Sequence, residues 1–290
     1  MANRNYFFGI WWFILSLVSS VLNDAITKHL GVRLHSFEVV FLRFGFGALT
    51  LIPFILANGL ETLKSSRPLV HLVRGCLLFG GMAAWTCGLT LAPISTVTVI
   101  SFSIPLFTLV LAKIFLSENI IWQRWIATLA GFTGVIVVLG QLPAFTYGAA
   151  IFIAASLGFA SLDIINKKFI IKEAMISMLF YSALITALLA LPFTLNYWLT
   201  PTIGELILLF ILGASANLIL FFLLKAFALA DATALAPYRY LELLLSAIIA
   251  YIVFTEIPTE ATIYGALVVV PSTLFIIYSE KKEMSKKDKK

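Results

Sequence analysis

Ten mostly apolar stretches follow one another along this chain, each about long enough to cross a bilayer. They fall at roughly 7–27, 37–57, 70–91, 95–116, 125–141, 148–166, 175–196, 204–229, 233–254 and 262–279. A helix needs about 20 such residues to span the hydrocarbon layer. The connectors, among them "LAPIST" (91–96) and "QLPAFTYG" (141–148), are short and carry proline or glycine, as breaks between helices do. Residues are 61% hydrophobic and 12% charged, against about 45–50% and about 25% in a soluble domain. A soluble fold has no use for that much apolar surface. The expectation is an all-α membrane protein with ten transmembrane helices. Strand-like alternation is absent, which excludes a porin-type barrel.

The first apolar stretch lacks a small-residue cleavage site, so it reads as a retained span and not a removable signal. Cys76 and Cys87 share one expected helix. At ~1.5 Å per residue they stand roughly 16 Å apart, too far for a disulfide. The basic residues decide orientation. With the amino terminus inside, the inner loops and tails hold Arg4, Lys64, Arg67, Arg124, Lys167, Lys168, Lys172 and the tail "KKEMSKKDKK"; the outer loops hold only Lys28 and Arg33. By the positive-inside rule both termini are cytoplasmic. The net charge of +6 is then topology plus a solvated tail. The basic residues are scattered with no aromatic interleaving, so no nucleic-acid partner is expected.

Shifted by 139 positions, the chain matches itself. "NDAITK" (23–28) falls on "LDIINK" (162–167), and "LIPF" (51–54) on "ALPF" (190–193). At a shift of 138, "LA" (91–92) meets "LA" (229–230) and "SEN" (117–119) meets "TEI" (255–257). This divides the chain into a five-helix repeat over 1–143, a second over 144–280 and a basic tail at 281–290. Five is odd, so the second repeat enters the membrane from the other side. Inverted repeats are the architecture of many secondary transporters, with the substrate site between the halves.

Charge inside a bilayer costs at least ~2.5–3.5 kcal/mol per residue, so charged side chains should face protein or a watery cavity. In "APYRYLELLLSAIIAYIVFTE" (236–256), Arg239, Glu242 and Ser246 form one helical stripe flanked by Tyr238 and Tyr240. Either Arg239 and Glu242 meet opposite charges on a substrate, or they form an internal ion pair. Arg43, on a second stripe with Gly47 and Thr50, either binds a carboxylate through its fork or pairs with Glu38, Asp24 or Glu242. Ser16, Ser20, Asn23 and Thr27 line the first span, as Ser156, Asp163 and Lys167 line the sixth; such groups also simply pack helices. The repeated pairs Asp24/Lys28 and Asp163/Lys167 lie at opposite ends and are expected to serve two gates or to cap helix ends. Pro105 in "SFSIPLFTL" (101–109) cannot donate to the Ser101 carbonyl, which makes Ser101 and Phe102 part of a kinked, substrate-facing patch or a kink for packing alone. Trp85, deep in the third span, either stacks on a planar ring or packs. There is no phosphate-cradling glycine loop, no metal motif and no nucleophile elbow. No catalytic residue, no metal and no cofactor are expected, and hence no enzyme.

The two five-helix halves, "RF" at 43–44, and the "LAPI…E118" and "LADATALAP…E256" patterns resemble the EamA-type branch of the drug/metabolite transporter superfamily. Longer stretches are similar to the S-adenosylmethionine uptake transporters of intracellular bacteria: "NDAITKHLGVRLHSFEVVFLRF", "SFSIPLFTL", "SENIIWQRW", "LDIINKKF", "SMLFYSA", "DATALAPYRYLEL" and "LFIIYSEKK". The resemblance implies a ten-helix bacterial inner-membrane carrier, monomer or homodimer, that imports S-adenosylmethionine in exchange for S-adenosylhomocysteine. Under it, Arg43 or Arg239 would take the carboxylate and Glu242 or an aspartate a positive group. Tyr238, Tyr240, Phe102 or Trp85 would meet the adenine or the sulfonium. The alternative within the same fold is an exporter of amino acids or amphipathic cations.

Overall fold

Among the described residues the apolar stretches are largely helical. The structure, a computed structural model, describes residues 2–89, 100–139, 147–255 and 260–287. Its longer helices are α1 (Ala2–Leu30), α2 (Ser36–Asn58), α3 (Pro68–Leu89), α4 (Ile104–Phe115), α5 (Trp122–Leu139), α6 (Tyr147–Phe169), α7 (Met175–Thr194) and α8 (Ile203–Leu229). A short 3₁₀ helix (Leu60–Leu63) between α2 and α3, a short α9 (Ala232–Leu235), a 3₁₀ turn (Ala236–Tyr240), α10 (Leu241–Phe254) and α11 (Glu260–Lys287) complete them. No strand occurs among the described residues. Five segments are long and apolar enough to cross a membrane: Asn5–Thr27, Ser36–Asn58, Ala150–Phe169, Met175–Thr194 and Ile203–Leu229.

The surface is inverted relative to a soluble protein. Phe54, Leu56, Ile114 and Leu188 are exposed, while Asn23, Ser156, Thr186 and Arg74 are buried. Water would penalise this arrangement. Lipid favours it, because acyl chains solvate the apolar rim and every polar group must find a partner inside.

Helix contacts between the two halves come in matched pairs. The first helix of the amino-terminal half packs on the third of the other (α1 on α8), and the third on the first (α3 on α6). The second helices pack on each other (α2 on α7), as do the fifth (α5 on α11). Each fourth helix lies against the first helix of the opposite half, α4 on α6 and α10 on α1. The rings of Phe102 and Tyr240, which correspond at the 138-residue shift, stack with centroids 6.0 Å apart.

The fourth stretch breaks just before Pro105, where a kink is expected, and the ninth is not the unbroken helix the pattern predicts. Residues 100–101 are helical, 102–103 turn, and α4 starts at Ile104 with Pro105 in its first turn. The ninth breaks into α9, the 3₁₀ turn and α10, with Pro237 inside the turn. Proline has no N–H for the preceding turn and its ring crowds that carbonyl. Ser103 Oγ and Ser156 Oγ both donate to the Ile100 carbonyl, the latter at 3.1 Å, which satisfies backbone exposed at this break.

Close approach of α2 and α8 depends on glycine. A Cβ on Gly213 would lie 2.5 Å from the Arg43 carbonyl oxygen and 2.7 Å from the Gly47 nitrogen. Both obstacles are backbone, so the helices must separate. Gly213→Ala is expected to lower the melting temperature of the detergent-solubilised protein by roughly 5–10 °C, from an overpacking cost of about 2–3 kcal/mol. Gly158→Ala, with nothing within 4 Å of its Cβ, is the control and should leave the transition in place.

Candidate functional site

Polar side chains from both halves meet in a cavity between α1, α2, α3, α6, α7, α8 and the 3₁₀ turn. Its deeper chamber, about 290 Å³, is walled by Ser20, Asp24, Arg43, Arg74, Asp163, Asn166, Ser182, Asn217, Arg239 and Glu242 among apolar neighbours. A wider vestibule, about 520 Å³, shares Ser20, Asp24, Arg43, Arg239 and Glu242 with it and continues past Ser101 and Phe102 to Thr27, Gly31 and Ser36. Small-molecule sites run to about 300–1,000 Å³, so the connected space suits a metabolite.

The charged groups divide by partner. Arg239 Nη2 donates to Asp163 Oδ2 at 2.8 Å, joining the 3₁₀ turn to α6. Arg239 therefore pairs with Asp163 and not with Glu242, three residues on. The 3₁₀ geometry sends the two side chains apart: one turns to α6, the other to α1. Glu242 Oε1 accepts from Ser20 Oγ at 3.0 Å, its one hydrogen bond among the described residues. Arg43 lies beside Phe44, its guanidinium carbon 5.3 Å from the ring centroid, and its buried Nε has no hydrogen-bond partner. Glu38 accepts instead from the Leu199 N–H at 3.2 Å.

The stripe on α1 serves two purposes. Ser16 Oγ donates to the Ile219 carbonyl at 3.0 Å, and Asn23 Nδ2 to the Leu212 carbonyl and Ser215 Oγ at 3.1 and 2.6 Å. These bonds hold α1 on α8. Ser20 and Asp24, on the same face, line the cavity. Helix packing and site lining thus share one stripe, and Ser16 does both.

The two ends of the cavity differ. Toward the α1–α2 connection it opens past the exposed residues Gly31 and Ser36. Nearby, Arg33 Nε donates to Glu205 Oε1 at 2.6 Å and Arg33 Nη2 to the Thr200 carbonyl at 3.0 Å. This bonding raises the already high Arg33 pKa further, so the tie stays ionic at physiological pH. The opposite end is closed. Tyr6 and Tyr238 share a hydrogen bond at 3.1 Å, and Lys167 Nζ donates to the Phe227 and Ala230 carbonyls at 2.6 and 2.7 Å. The Glu118 carboxylate accepts the Ala232 and Thr233 N–H groups at 3.0 and 3.1 Å, the donors at the start of α9, where negative charge is favoured.

Among the residues singled out in the sequence, Arg43, Ser101, Phe102, Arg239, Glu242, Asp24 and Asp163 all line this space. Tyr238 and Tyr240 are fully buried and line neither chamber in this conformation. The Tyr240 ring sits where a Cβ on Gly131 would fall, 2.3 Å away. Lys167 is bonded to backbone carbonyls and Asp163 to Arg239, so these two do not pair with each other. The side chains of Lys28 and Trp85 lie outside the described residues. Arg74, Asn166 and Asn217 went unremarked in the sequence. The signal for Arg74 was available: a charge within an apolar stretch, the criterion that picked out Arg43.

The EamA-like transporter family matches the chain twice, over residues 7–140 and 146–278. The S-adenosylmethionine uptake transporter of Rickettsia bellii is 60% identical over 99% of this chain and 99% of its own length. The protein of that name from Rickettsia prowazekii is 58% identical, covering 99% of this chain and 98% of its own. The riboflavin transporter of Rhizobium johnstonii is 28% identical over 94% and 91%. One crystal structure superposes with a TM-score of 0.80 over 94% of this chain and 96% of the other, at 19% identity, a likeness of fold alone.

Proposed function

Because the chain belongs to the EamA-like transporter family, whose members are carriers and not enzymes, we propose that it imports S-adenosylmethionine across a bacterial inner membrane by alternating access. The carrying observation is Glu242: a carboxylate on the cavity wall whose neighbouring arginine is taken by Asp163. A site with anionic capacity suits a ligand with cations. S-adenosylmethionine brings two, an ammonium and a sulfonium, and Asp24 adds a second carboxylate to the same wall. Phe102 and Phe159 line the vestibule and offer faces to the adenine or to the sulfonium. The relatives at 58–60% identity bear the name of an S-adenosylmethionine uptake transporter.

Alternating access follows from ten crossings arranged as inverted repeats. The matched contacts between halves and the paired breaks in the fourth helices support that arrangement. Two similar halves in opposite orientation give two states of comparable energy. With both termini cytoplasmic, the open end at the α1–α2 connection faces outward and the end sealed by Lys167, Glu118 and Tyr6 faces the cytoplasm. Asp24 and Asp163 stand at matching places of the two repeats, on the two sides of the site. S-adenosylhomocysteine keeps the carboxylate and ammonium but lacks the sulfonium charge, so the same groups hold it less strongly, as release of an exchanged product requires.

Proteoliposomes containing the purified chain provide the test. External labelled S-adenosylmethionine should accumulate faster when the lumen holds unlabelled S-adenosylmethionine or S-adenosylhomocysteine. Uptake no greater than in protein-free vesicles would end the proposal.

A further inference from the structure

Arg74 is the largest fully buried side chain among the described residues, and it lies at the floor of the deeper chamber. Its guanidinium is held from three sides. Nε donates to Asn166 Oδ1 at 2.7 Å, Nη1 to the Met178 carbonyl at 3.0 Å, and Nη1 stands 3.4 Å from His71 Nδ1. Two of these partners, the Asn166 amide oxygen and the Met178 carbonyl, are neutral acceptors, and none of the three is a carboxylate. Nη2 has no partner and no access to solvent. The nearest carboxylate electrostatically is Glu173, which is turned to His71, Oε2 lying 3.4 Å from Nε2.

Among the described residues Arg239 is the better compensated cavity arginine, whereas Arg43 also keeps a buried, unpartnered Nε. Arg239 is ion-paired with Asp163, and Arg43 shares the wall with Asp24, whose charge it feels. A buried guanidinium bonded to no carboxylate is costly, and an unmade bond at one nitrogen adds to the cost. A fixed fork with one nitrogen free is the geometry that receives an incoming anion.

We propose that Arg74 selects for the carboxylate of the ligand, which reaches Nη2 by displacing the side chains that cover it at the cavity floor, with the cationic groups above it at Glu242 and Asp24. This assignment rests on the reading of the protein as an S-adenosylmethionine carrier. It gives the ligand a direction: the amino-acid end enters first and the adenosine stays toward Phe102 and the vestibule. Asn166 is a positioning residue, since it fixes Nε and thereby aims Nη2.

The probe is the decarboxylated analogue of S-adenosylmethionine, which keeps the sulfonium, an ammonium and the adenosine. Equilibrium binding to the full chain in nanodiscs should favour S-adenosylmethionine over the analogue by ~10–100-fold, the value of a hydrogen-bonded charge. Arg74→Gln should bring the two ligands to similar affinity while leaving analogue binding intact, which also reports a folded site. Asn166→Asp supplies a permanent counter-ion to Arg74 without removing it, and should likewise erase the preference. Arg43→Gln should retain it. Undiminished preference in Arg74→Gln or in Asn166→Asp overturns the assignment, as does equal loss of both ligands in Asn166→Asp. Absence of S-adenosylmethionine binding by the wild-type chain instead overturns the carrier reading on which the assignment rests.

Discussion

Glu242→Gln is expected to reduce S-adenosylmethionine uptake at least ~100-fold with the carrier still folded. Glutamine has the size of glutamate and keeps an oxygen to accept the Ser20 hydroxyl, bonded at 3.0 Å in the parent. Packing is therefore preserved and only the charge is lost. Removing one member of a desolvated charge pair costs about 2–5 kcal/mol, and ~3 kcal/mol is a little over 100-fold at ~1.4 kcal/mol per decade. Initial uptake rates in proteoliposomes, normalised to inserted protein, measure the effect; the melting temperature of the same preparation measures folding. Uptake within twofold of wild type would remove Glu242 from the site.

Arg239 behaves differently, because its partner is internal. Arg239→Ala leaves the Asp163 carboxylate, 9% exposed, without its 2.8 Å partner. Breaking a buried pair from one side costs about 3–5 kcal/mol. A loss near ~3 kcal/mol is expected here, since Arg239 retains 20% exposure toward the cavity. Asp163→Ala should destabilise similarly. The double variant Asp163→Asn/Arg239→Met should recover most of the stability, as both charges go together and the volumes are kept. Denaturation midpoints of Asp163→Asn, Arg239→Met and their double form a thermodynamic cycle. Additive losses would show that the two side chains act apart. Transport falls in all of these variants, so stability is the readout that separates Arg239 from Glu242.

The contrast between these two residues shows what the sequence could and could not carry. Spacing placed Arg239 and Glu242 on one stripe and left open whether they pair with each other or with a ligand. The answer depended on Pro237, which converts the segment to a 3₁₀ turn, and on Asp163, 76 residues away. Neither periodicity nor local charge encodes that crossing of halves. Five of the spans were legible because twenty-residue apolar runs have few alternative uses. The cavity charges Asp24, Arg43, Asp163, Arg239 and Glu242 were legible because ionised groups in lipid need a reason.

Tyrosines are less constrained by that logic. An amphipathic ring at a predicted site edge serves equally well as packing, and Tyr238 and Tyr240 are fully buried. Asn23 and Ser16 were ambiguous for the same reason, and they hold α1 to α8. Arg74 sits six residues into α3, inside the 70–91 stretch, so its charge was legible and its partners were not. Only the fold brings the end of α6 over it.

The central claim is a hydrated space shared by both halves that S-adenosylmethionine occupies. Ala216 lines the deeper chamber without belonging to its charged groups, so Ala216→Cys in a background lacking Cys76 and Cys87 is the most direct probe. A small charged thiol reagent applied to the face bearing the α1–α2 connection should label it within minutes, and saturating S-adenosylmethionine should slow that labelling at least ~10-fold. A cysteine there that resists the reagent from both faces, or that labels at one rate with and without S-adenosylmethionine, would contradict the account.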